Sequence, residues 1–286
     1  MKFALSTLPF IDKEIDLSLF NKLKQNGITS IELFAQKPHC DLLNKTHPAI
    51  LMNLEDNIGI QINSIHLPIY FNRVSDLNER KKVNICCEDN NIRSNSLREI
   101  IRHIEVAGQL GIPVAILHTG LENNSESEIN LLIESLTVIN EEAKKRDILI
   151  ALENHTTPFV TVGLLIELIH KIDTEHLGIC LDIGHSNIFS NYISDLMEAR
   201  RYLFSMHLHD NNGEEDEHLL PYEGVIDFDY IIGYLRTSKF AGIVTVELNG
   251  ENITSEDELL EFLRKASLYL SSFENPRLTY NILEPT

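Results

Sequence analysis

Leu149-Ile150-Ala151-Leu152-Glu153 is four apolar residues closed by a carboxylate, and it follows an amphipathic helical pattern over residues 128–145. A run this short and this continuously apolar reads as a parallel strand covered on both faces, with its polar group at the C-terminal end. The same design recurs along the whole chain. Strands are expected at residues 2–6, 30–34, 61–66, 114–118, 149–153, 178–182, 205–209 and 243–247, most of them ending on a histidine, aspartate or glutamate. Helical periodicity fills the intervals: residues 96–110 place Leu97, Ile100, Ile101, Ile104 and Ala107 on one face, and residues 128–145 do the same with Leu131, Leu132, Leu136 and Ile139. Gly27 and Gly111 stand where helices should stop.

About eight strand–helix units are what a closed parallel barrel requires, so the fold class is α/β, a single-domain (β/α)8 TIM barrel. With 286 residues and 43% hydrophobic content, the chain is long enough for one such core. No linker or composition break divides it, which sets the barrel at residues 1–274 and a C-terminal tail at 275–286. Residues 71–95, polar and rich in asparagine, lack clear periodicity; they read equally as a lid after the third strand or as a surface insertion.

The formal charge of -19 argues against a phosphate-backbone partner, because nucleic-acid binding normally rests on a basic surface. Short basic runs at Arg80-Lys81-Lys82 and Lys144-Lys145-Arg146 read as solvated faces. Cys40, Cys86, Cys87 and Cys180 have no CxxC spacing and are expected to be free thiols in a reducing cytoplasm. Polar Ser6 and Thr7, then Pro9 and Asp12, interrupt the apolar start before a signal segment forms, and no membrane-spanning run follows. The expected partner is a small molecule; a homo-oligomer is compatible with the sequence, which does not decide it.

In a closed β/α barrel, groups at the C-terminal strand ends converge on one rim. His66, His118, Glu153, Asp182, His185, His207, Asp216, His218 and Glu247 all fall at such ends or just beyond them. Any one of these histidines would read as a satisfied core residue. Nine such groups on one rim point instead to a divalent metal, since burying them without a cation or substrate would cost a few kcal/mol each. Neutral imidazoles with carboxylates suit zinc or manganese best, cobalt or iron next, and magnesium least. His209 is expected on the face opposite His207, in a supporting or structural role. Glu32 is a candidate for orienting ligands from the second strand.

These residues resemble the xylose isomerase-like TIM-barrel superfamily, which includes sugar isomerases and epimerases together with the endonuclease IV group. The resemblance spans nearly the whole chain and rests on Ile31-Glu32-Leu33-Phe34, His66-Leu67-Pro68, His118-Thr119-Gly120, Glu153-Asn154, Asp182-Ile183-Gly184-His185, His207-Leu208-His209-Asp210 and Glu247. It implies a metal held by Glu153, Asp182, His207 and Glu247, with Glu153 and Glu247 as catalytic residues and His66, His118 and His185 near the substrate. The activity it implies is isomerisation or epimerisation of a sugar, sugar phosphate or related polyol through a metal-stabilised enediolate. The endonuclease IV side of the superfamily implies a two- or three-metal phosphodiesterase or phosphatase, with His66, His118, His185, Asp216 and His218 as added ligands. Phe159 and Gly213 stand where ketose 3-epimerases carry an acid and an arginine, which argues against a free ketohexose.

Overall fold

Eight parallel strands close on themselves in sequence order, β1 (Lys2–Ser6), β2 (Ser30–Phe34), β3 (Gln61–His66), β4 (Val114–Leu117), β5 (Leu149–Glu153), β6 (Leu177–Asp182), β7 (Leu203–Leu208) and β8 (Ile243–Val246). The computed structural model describes residues 1–52, 54–72, 79–250 and 253–275. The expected single-domain (β/α)8 barrel is what the chain forms. Alternation divides each strand between two environments. Outward residues such as Leu5, Ile31, Ile65, Leu152, Leu181 and Val246 meet the helices in one large core. Inward, a small apolar cluster of Ala4, Val114, Ile116, Ala151, Cys180 and Ile243 plugs the barrel. Each fully buried leucine or isoleucine contributes about 1.5–3 kcal/mol relative to exposure, so the outer core dominates stability.

Pairing register carries the inward polar residues to a common level. Glu32 lies opposite both Ser6 and Ser64, His66 opposite Phe34 and Ile116, Glu153 opposite Cys180, and Asp182 opposite His207. The polar layer therefore sits directly above the apolar plug, at the C-terminal end of the barrel.

Ten helices accompany the strands among the described residues: α1 (Leu17–Gln25), α2 (Thr46–Leu51), α3 (Leu54–Ile58), α4 (Asn90–Gln109), α5 (Glu126–Lys144), α6 (Val162–Ile172), α7 (Ile183–Phe189), α8 (Tyr192–Ala199), α9 (Phe228–Thr237) and α10 (Glu256–Glu274). Capping explains where they start. Helix α4 begins six residues before the expected 96, because the Asp89 side chain accepts from the amides of Asn91 and Ile92 at 2.8 and 3.3 Å. Ser125 likewise caps α5, and Ser255 forms a capping box with Glu258 at the head of α10. Gly27 and Gly111 follow α1 and α4 with φ of +82° and +70°, the left-handed backbone that stops a helix.

The 71–95 segment is thus shorter than its lack of periodicity suggests. Residues from Asn90 are helical, and the segment's two flanks pair: Phe71 N donates to Lys81 O at 3.0 Å and Val83 N to Ile69 O at 2.8 Å. Residues 73–78 and 276–286 lie outside the described part, and with them the middle of the segment read as a lid or a surface insertion and most of the tail. No helix among the described residues is long and apolar enough to cross a membrane.

Candidate metal centre

Glu153, at the end of β5, is the hub of the rim. Its Oε2 lies 2.7 Å from His118 Nε2 and 3.2 Å from His66 Nε2, while its Oε1 lies 2.9 Å from His207 Nδ1. His207 Nδ1 also faces Glu247 Oε2 at 3.4 Å and Asp182 Oδ2 at 3.7 Å. On the far side of Asp182, His185 Nε2 lies 3.3 Å from Asp216 Oδ2, which is 3.4 Å from His218 Nε2. All nine residues expected on the rim come together there. Together with His209 they form three adjoining donor groups: His66, His118 and Glu153; Glu153, Asp182, His207 and Glu247; and His185, His209, Asp216 and His218.

The surrounding chain fixes these side chains by short-range contacts. Asn154 locks β5 to β6, its Oδ1 accepting from Asp182 N at 2.7 Å and its Nδ2 donating to Asp182 O at 2.9 Å. His66 stacks on Phe34 with ring centroids 4.1 Å apart. The loop after β7 is shaped by Asp210, fully buried, whose carboxylate accepts from Asn211 N, Gly224 N and Ile226 N. Asp210 is therefore a loop-folding residue, and Glu217 similarly accepts from Asn212. That loop holds His218 at φ +48°, a left-handed conformation costly for a bulky residue, with its Nδ1 3.2 Å from Glu247 O.

Burial alone would raise the carboxyls and lower the imidazoles; paired charges reverse most of this. Against burial, His207 and His118 hold Glu153 well below the usual carboxylate range, and His207 and His218 do the same for Glu247. His185, despite its burial, is carried up to about 10 by Asp182 and Asp216, and His218 to about 9 by Asp216 and Glu247. His118 goes the other way, kept low by burial beyond what Glu153 restores. The carboxylates are thus ionised at neutral pH and demand positive charge, which protonated imidazoles or a divalent cation can supply. One oxygen makes the demand explicit. Asp182 Oδ2 is buried without a hydrogen-bond partner, 3.7 Å from both His185 Nδ1 and His207 Nδ1. An unsatisfied anionic oxygen among imidazole nitrogens fits a divalent-cation ligand set.

Two residues near the centre escape the sequence reading. His209, expected on the opposite face, is fully buried with Nε2 3.1 Å from Asp182 Oδ1 and 3.6 Å from Asp216 Oδ1. Residues two apart on a strand share a face, so continuing the alternation of β7 past its end at Leu208 carries His209 to the side of His207, against the expectation. His155 lies half-buried between two groups, its ring centroid 4.7 Å from that of His118 and 5.5 Å from that of His185. Burial and the neighbouring His118 and His185 push it down to about 3, leaving a neutral imidazole at the mouth. Its signal was its place two residues beyond the strand-end Glu153.

A closed eight-stranded parallel barrel with this rim defines the class, and residues 20–266 match the model of the xylose isomerase-like TIM barrel family. The chain belongs to that family. It is 29% identical over 277 residues to the uncharacterized protein MJ1311 of Methanocaldococcus jannaschii, covering 92% of this chain and 89% of that one. It is also 29% identical over 176 residues to an inosose isomerase of Halalkalibacterium halodurans, covering 56% of this chain and 62% of that one. Among solved structures, a D-tagatose 3-epimerase-like protein superposes with a TM-score of 0.74 at 26% identity, covering 93% and 98% of the two chains. The IolI protein with a bound zinc atom superposes with a TM-score of 0.75 at 20% identity, covering 95% and 98%; at that identity the likeness concerns the fold.

Proposed function

We propose that this protein is a divalent-metal-dependent isomerase or epimerase acting on a sugar, sugar phosphate or related polyol. The observation that carries the reading is the convergence of Glu153 Oε1, Glu247 Oε2 and Asp182 Oδ2 on His207 Nδ1, at 2.9, 3.4 and 3.7 Å. The similarity to an inosose isomerase and to a D-tagatose 3-epimerase-like protein supports it. Bound by Glu153, Asp182, His207 and Glu247, zinc or manganese would polarise a substrate carbonyl as a Lewis acid and acidify the adjacent C–H.

Glu153 and Glu247 are the proton-moving groups. Both carboxyls are ionised at neutral pH, so each can accept a proton from a substrate carbon. They enter from different strands, with Ser6 Oγ donating to Glu247 Oε1 at 3.3 Å and the histidines holding Glu153. Removal of a proton by one and its return by the other gives epimerisation; removal and return by one gives aldose–ketose isomerisation. His66, His118 and His185 would hold substrate hydroxyls.

One observation favours a second reading. Two of the three donor groups share Glu153 and the third adjoins them through Asp182, an arrangement suited to two or three metals and to phosphoester hydrolysis. Elemental analysis of protein purified without chelator or metal column, paired with substrate panels, separates the two. About one ion per chain, with deuterium from solvent entering a sugar or sugar phosphate carbon, is the expected result. Two or three zinc ions, phosphodiester or phosphomonoester cleavage and no such exchange would replace the isomerase with the hydrolase.

A further inference from the structure

Glu32 is a fully buried carboxylate at the level of the polar layer, in register with Ser6 and Ser64. Its Oε2 is held by two hydroxyls, Ser64 Oγ at 2.6 Å and Thr245 Oγ1 at 3.3 Å, contributed by β3 and by β8. Its Oε1 lies 3.0 Å from His207 Nε2. The pair falls short of hydrogen-bond alignment, yet among the described residues neither atom has a hydrogen-bond partner. The opposite nitrogen of the same ring, Nδ1, is the one that faces Glu153, Glu247 and Asp182. A buried carboxylate with a free oxygen is costly, and no other side chain among the described residues hydrogen-bonds that oxygen.

We infer that Glu32 is a positioning residue for the metal centre: its carboxylate holds the Nε2–H of His207 from below and thereby aims Nδ1 at Glu153, Asp182 and Glu247. A histidine ligates through one ring nitrogen, and the partner of the other nitrogen fixes both the tautomer and the ring plane. The hydroxyls of Ser64 and Thr245 fix the carboxylate in turn, so the orientation of His207 is set by four strands, β2, β3, β7 and β8. The inference rests on the metal reading of the site and adds to it a requirement on a residue that touches neither cation nor substrate.

Two variants of nearly the same volume test it. Glu32→Met fills the space without an acceptor, while Glu32→Gln keeps a carbonyl oxygen for Nε2–H and removes the charge. Zinc affinity is measured by chelator competition, and the Nε2–H of His207 is followed by nitrogen-15 NMR in the zinc-loaded protein. The expected result is a loss of about 10- to 100-fold in zinc affinity for Glu32→Met, with the Nε2–H signal lost to exchange, and near-native behaviour for Glu32→Gln. Native affinity in Glu32→Met, or an equal loss in Glu32→Gln, would overturn the inference, the second because it would make the charge and not the acceptor the contribution. If the unaltered protein takes up no zinc or manganese, the metal reading itself is overturned and the inference with it.

Discussion

Gly184 lies directly against the imidazole of His209: a methyl group on its Cα would stand 2.0 Å from His209 Cε1. The glycine after Asp182-Ile183 is therefore the space that His209 occupies. Gly184→Ala must move a fully buried ring or shift the start of α7, at an expected cost of about 1–3 kcal/mol. Because His209 touches Asp182 and Asp216, the variant should also weaken cation binding by the outer donor group. Urea unfolding and metal content measured together check this; an unchanged unfolding midpoint would mean the ring has room that the contact denies.

Glu247→Gln removes one proton-moving carboxylate and keeps its shape. Turnover of a sugar substrate should fall by about 10²- to 10⁴-fold with metal content retained. Full activity with metal bound would remove Glu247 from the chemistry, and with it the two-glutamate epimerisation.

His118→Ala takes away the nitrogen 2.7 Å from Glu153 Oε2 but leaves Glu153, Asp182, His207 and Glu247 in place. An isomerase should be weakened by about 10- to 100-fold and keep the cation held by those four. Complete loss of activity together with a fall from two or three ions per chain in the unaltered protein is the outcome that speaks for the multinuclear hydrolase.

His39 predicts the acid side of the stability curve. Burial lowers it from 6.5 to about 4, although its Nδ1 hydrogen-bonds Lys13 O at 2.7 Å. The unfolded chain therefore binds a proton that the folded chain refuses between those two values. Stability is complete above about pH 6.5 and is lost as pH falls toward about 4, by on the order of 3 kcal/mol. In His39→Gln that slope should be absent, so native and variant urea midpoints should converge on acidification. Parallel curves from pH 7 to 4 would contradict the assignment.

Much of this molecule could be read from its sequence. Continuous apolar runs marked the strands because a strand covered on both faces excludes polar side chains, and the polar residue ending each run marked the rim. Both properties are local, which is why Glu153, Asp182, His207 and Glu247 could be named before any fold was seen. Other features depend on atoms far apart in the chain. Asp89 starts α4 early through a cap that periodicity does not register. Asp210, next to these histidines in the chain, folds the loop, whereas His209 joins the donors because it lies two residues beyond inward-facing His207 and Gly184 leaves it space. The division of the rim into three groups around Glu153, and the meeting of Glu32 with His207, arise only when eight strands close into a ring. The sequence by itself determined which residues are polar at strand ends; barrel closure and loop geometry decided their distances, because those distances are set by register and packing between segments that share no local pattern.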